Sequence, residues 1–167
     1  MKKLIILLIV SVLTGCEREG TEKFFDPGDL LHLDLADLSG FWSDPAVLDT
    51  SWYITASFES DPAYLDGIRV SGNERGVAVS VFDSDSAAIR AMEMRRNLVA
   101  CVILPGLSDE MENTWWYSAC IPHMVFINQW NTIIEVSYYA ENYEMVEDLL
   151  LDTGKEVAER IDRKSHR

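Results

Sequence analysis

The chain has 167 residues, 48% of them hydrophobic, and a formal charge of −14. That length suits one domain with a substantial core and speaks against disorder. The acidic balance speaks against nucleic-acid binding and against direct docking on anionic lipid, since both need basic patches, and any small-molecule partner is expected to be neutral or cationic.

The chain opens on Lys2-Lys3, an apolar run from Leu4 to Val12, and then Leu13-Thr14-Gly15-Cys16. A basic start, a short apolar segment and small residues before a cut point describe a secretory signal. The run is well short of the roughly 20 apolar residues needed to span a bilayer. Leu13 to Cys16 resembles the lipobox of bacterial lipoproteins. The resemblance implies a diacylglycerol on the Cys16 sulfur, cleavage before Cys16 and an acylated amino terminus. It makes residues 1–15 a signal peptide and gives the protein a membrane partner through its lipid. Loss of Lys2 and Lys3 takes the charge from −14 to −16. Glu17 stands where aspartate, in lipoproteins of two-membrane bacteria, favours inner-membrane retention. The expected location is therefore the cell envelope, on the periplasmic side of the outer membrane where there are two membranes.

Residues 16–28 read as the lipidated cysteine and a polar tether ending in Pro27-Gly28, and residues 29–167 as a single domain. Phe24-Phe25 breaks the tether's polarity and is expected at the domain edge. Leu31, Leu35 and Leu38 share a helical face behind Asp29, which predicts a short helix over 29–38.

The body shows an internal correspondence. Ser51 to Ser57 aligns with Thr114 to Cys120, Ile68 to Ser71 with Val125 to Asn128, and Val77 to Asp83 with Thr132 to Tyr138. Turn signals at Gly72 to Gly76 and Asn128 to Asn131 separate the last two strands of each set, and a helix follows each. Alternation puts Val77, Val79, Val81, Trp115, Tyr117, Ile134 and Val136 on the face expected to carry the helices. The other face holds Tyr53, Ser80, Trp116, Ser118 and Glu135, and its polarity suggests solvent. The first helix, about 85–103, carries Ile89, Met92, Arg96, Val99 and Ile103 at helical spacing; the second, about 142–163, carries Val146, Leu150, Thr153, Val157 and Ile161.

Of three cysteines, lipidation would leave Cys101 and Cys120. An even number outside the cytoplasm permits a disulfide, with two buried thiols as the alternative. His32, His123 and His166 have no partner at metal spacing, and no P-loop, GxSxG or GxGxxG stretch occurs. No metal, cofactor or catalytic residue is expected.

The expected fold class is α+β, an antiparallel sheet from two βββα repeats with two helices packed on one face; a ferredoxin-like sandwich is the alternative. The expected function is a non-enzymatic binding or scaffolding module for an envelope protein, using Trp116, Tyr53 and Trp130 as aromatic anchors. The alternative is an envelope hydrolase using dispersed acidic residues.

Overall fold

The computed structural model describes residues 23–38, 40–43, 47–48, 58–72, 74–98, 103–108, 113–118, 121–139 and 146–166. Cys16, Trp52, Tyr53, Cys101 and Cys120, and so the lipidation site, the proposed disulfide and the first strand of the first repeat, lie outside them.

Among the described residues, seven strands form one antiparallel sheet: β1 (Val47–Leu48), β2 (Tyr64–Ser71), β3 (Arg75–Phe82), β4 (Ile103–Ser108), β5 (Asn113–Ser118), β6 (His123–Gln129) and β7 (Thr132–Tyr138). Their spatial order is β1-β2-β3-β7-β6-β5-β4. Two helices, α1 (Asp85–Leu98) and α2 (Glu147–Lys164), complete the α+β architecture. The β2–β3 and β6–β7 hairpins are joined edge to edge through β3 and β7, with Val77 opposite Val136 and Val79 opposite Ile134.

These valines and isoleucines, with Tyr117, Val125 and Ile127, form one core against α2. Val146, Leu150, Thr153, Val157 and Ile161 all turn inward, as their spacing predicts. Gly154 lets the helix approach: a Cβ there would lie 2.5 Å from Ile127 Cδ1. The intrinsic helical cost of that glycine, about 1 kcal/mol, is offset by the closer packing.

The two helices lie on opposite faces of the sheet, not on one. Ala78, Phe82, Trp116, Met124, Phe126 and Ile133 alternate with the first core's residues and pack with Ala87, Ala88, Ala91 and Met92 of α1. The face expected to meet solvent is therefore covered, and Ser80, Ser118, Glu135 and Ser137 are buried on it. Small side chains on both surfaces permit this close packing. They also explain why α1 buries its alanines while Ile89 and Leu98 stay exposed. Of its expected set, Met92 is buried, Ile89 is exposed and Arg96 half-buried among the described side chains, and Ile103 belongs to β4. A twofold axis normal to the sheet would relate the two hairpins but would place both helices on one face.

The N-terminal segment also departs from expectation. Residues 27–38 form 3-10 turns, Pro27–Leu33 and Leu35–Asp37, capped by Asp26, whose Oδ1 accepts from the Gly28 N–H. Three residues per turn replace the α period. Leu30 and Leu33 therefore face the core and Leu31 is exposed, contrary to the α-helical expectation. The domain begins by Lys23 instead of residue 29: Phe25 is fully buried, and Phe24 pairs with His166 through backbone bonds of 2.8 and 2.9 Å. Arg160 on α2 donates to the carbonyls of Leu33, Asp34 and Asp37, satisfying the ends of both turns.

Asn131, buried in the β6–β7 turn, fastens this segment. Its Nδ2 donates to the carbonyls of Phe25 and Phe82, and its Oδ1 accepts from the Phe25 N–H. Asn131→Asp keeps the shape, removes both donors and buries a charge against two carbonyls. It should lower stability by about 3 kcal/mol or more in urea unfolding; an unchanged midpoint would show that the bonds are dispensable.

Candidate functional site

Of the three aromatic residues expected to form a contact surface, Trp116 and Trp130 are described, and Trp116 is buried in the core. Trp116 is 1% exposed and stacks on Phe126, ring centroids 4.0 Å apart. It sits on the face that α1 covers, which overturns its reading as a surface anchor. Tyr53 lies outside the described residues. Trp130 is half-buried with a φ of 54°, the left-handed conformation that a two-residue hairpin turn demands and glycine or asparagine usually supplies. Its indole N–H donates to Asp162 Oδ1 at 3.1 Å, and Lys23 Nζ lies 5.3 Å from its ring centroid. The ring is thereby engaged in a tie between the N-terminal segment and α2.

Lys23 Nζ also bonds Asp162 Oδ1 at 2.5 Å. That bond, ahead of the opposing effect of burial and the added indole bond, holds the Asp162 carboxyl below its ordinary 3.8. A depressed carboxylate stabilises the fold above its unfolded-state value, and that contribution is lost as pH falls through the lower folded-state value. Asp162→Asn should therefore narrow the stability difference between pH 7 and strongly acidic solution. An acid-unfolding profile that keeps its shape below pH ~4 would refute the assignment.

A concave site lies elsewhere among the described residues, a cleft of about 490 Å³ where the 3-10 segment meets β2. Pro27, Leu30, Leu31, Ile68 and Val79 give it apolar walls; Glu59, Tyr64, Asp66 and Arg69 give it polar groups. The local sequence explains its shape. β2 carries an irregularity between Tyr64 and Asp66, and a bulge of this kind re-aims side chains. Gly67 leaves room for the tyrosine: a Cβ there would lie 2.5 Å from Tyr64 Oη. The Tyr64 ring packs edge-on against Phe82, centroids 6.1 Å apart.

The cleft's electrostatics follow from four groups. Arg69 Nη1 bonds Glu59 Oε1 at 3.2 Å, and Asp66 Oδ1 accepts from the Gly67 N–H at 2.8 Å. Burial first, then the negative charges of Glu59 and Asp66, push the Tyr64 phenol up, with Arg69 acting the other way. The phenol therefore stays protonated at neutral pH and can donate a hydrogen bond. With Glu59 paired to Arg69, Asp66 leaves a net negative site. Such a lining can hold and orient a neutral or cationic ligand.

Other chemistry is sparse among the described residues. No group of three or more His, Cys, Asp or Glu side chains is placed to hold a metal ion, and no helix is long and apolar enough to cross a membrane. His123 is buried at the start of β6, its ring nearly parallel to Tyr117 at 6.4 Å. Sequence reading missed the cleft because its members are separated along the chain; the one local signal was glycine inside a β-like run, at Gly67. The chain matches no family model, no curated protein and no solved structure.

Trp116→Ala distinguishes core from contact surface. Removing a stacked, buried ring should cost roughly 3–5 kcal/mol of stability in thermal or urea unfolding. A variant as stable as the parent would restore the surface reading.

Proposed function

We propose that this is a lipid-anchored, non-enzymatic binding module of the cell envelope that takes a small neutral or cationic ligand in the cleft beside β2. The anchor rests on Leu13-Thr14-Gly15-Cys16 behind a short apolar run. The binding role is carried by one observation, a cleft whose apolar walls converge on Tyr64, Asp66 and Arg69. Its volume falls within the range of small-molecule sites. A phenol donor and a carboxylate acceptor set into apolar walls orient a ligand without activating a nucleophile.

Two measurements test the two halves separately. Cys16→Ala should leave an unprocessed precursor that takes up no fatty-acid label; normal processing and labelling would remove the anchor. For the cleft, thermal unfolding is followed in the presence of a panel of small amines and neutral polyols. A ligand at 100-fold its dissociation constant stabilises by about 2.7 kcal/mol. That gain should shrink in Tyr64→Phe and Asp66→Asn, with the unliganded stability of both little changed. A gain that persists in both variants places the ligand elsewhere, and a panel that stabilises nothing defeats the reading.

A further inference from the structure

The point at which the chain enters the domain is firmly tied. Phe24 pairs with His166, Phe25 is buried and bonded at both its N–H and C=O to Asn131, and Lys23 bonds Asp162. These ties gather at one end of the sheet. Asn131 closes the β6–β7 hairpin there, its side chain bonds the Phe82 carbonyl at the end of β3, and α2 brings its last turn alongside through Asp162, with His166 just beyond the helix. The other end is formed by the β2–β3 turn, where Tyr139 N–H bonds the Glu74 carbonyl.

Six residues, 17–22, separate Lys23 from Cys16. Whatever their conformation, the seven Cα steps from Cys16 to Lys23 reach at most ~25 Å. The seven Cα rises of β3 span about 24 Å along the sheet. Turning the far end of the domain onto the bilayer would raise Lys23 by about that length. The leash would then have to be almost fully straight, a state with nearly all its conformational entropy removed. A domain starting at residue 29 would have had a leash of roughly 45 Å and no such restriction.

We propose that the end of the sheet bearing the β6–β7 turn and the C-terminus of α2 is the membrane-facing surface of the domain, and that the β2–β3 turn points away. This inference rests on the lipid-anchor reading. The partner is the lipid headgroup layer, met by Lys23, Arg163 and Lys164 at the anchored end. The short leash sets the orientation, since a chain with a formal charge of −14 is not drawn to anionic lipid as a whole.

The test uses the full-length lipoprotein in phosphatidylglycerol–phosphatidylethanolamine vesicles carrying a headgroup acceptor dye. A fluorescent amino acid is introduced in place of Arg163 or in place of Glu74. Energy transfer should be at least twofold stronger from position 163. A 30-residue Gly/Ser insert after Gly20 should bring the two positions close to equality. Equal transfer with the native leash, or stronger transfer from position 74, overturns the orientation. Mass spectrometry of the same protein reports the lipid on Cys16: lipidated protein with equal transfer refutes the orientation alone, and unlipidated protein refutes the anchor reading and the orientation with it.

Discussion

Asn131 joins three distant parts of the chain within one side chain's reach. Its amide satisfies the backbone of Phe25 from the entering segment and the carbonyl of Phe82 from β3, while its own carbonyl accepts from the Phe82 N–H. The side chain is buried, so each of these groups would otherwise lack a partner at substantial cost. The turn beneath it is reinforced locally. Asn128 Nδ2 donates to the carbonyls of Trp130 and Thr132, and Thr132 Oγ1 to that of Gln129. These bonds support the left-handed conformation at Trp130, a conformation that costs of order 1–3 kcal/mol in a residue of this type. Fixing the turn fixes Asn131, and Asn131 fixes where the chain enters the domain.

From that entry point the 3-10 segment runs to the outer side of the α2 core. Leu30, Leu33, Leu35 and Leu38 bury their side chains there, and Arg160 collects the carbonyls at the ends of the turns. The cleft beside β2 exists because this segment lies next to a strand with Gly67 and a bulge in it. The same few contacts therefore shape the proposed ligand site and shorten the leash to the proposed anchor.

The sheet is covered on both faces by different means. The α2 side is a conventional core of branched and aromatic side chains. The α1 side mixes Phe82, Trp116 and Phe126 with serines and Glu135 and closes against alanines. Small residues on both partners let the helix approach, and the Trp116 and Phe126 rings stack within the same layer.

The sequence by itself determined the period-2 strands β3, β6 and β7, the α2 face from Val146 to Ile161, the α+β class, and the signal for export with a lipid at Cys16 as an expectation. Those features are local: alternation, helical spacing and a contiguous motif can be read without knowing what lies opposite. Tertiary structure alone decided that α1 crosses to the other face, because serine beside a polar loop looks solvent-facing until an alanine surface covers it. It decided that Trp116 is core, since one strand cannot reveal which of its faces a later helix will claim. It decided that the domain starts by Lys23, through bonds from Asn131 and His166 more than 100 residues away. The cleft belongs to the same class: Pro27, Glu59 and Arg69 become neighbours only when the 3-10 segment is tied down, and no spacing along the chain encodes that meeting.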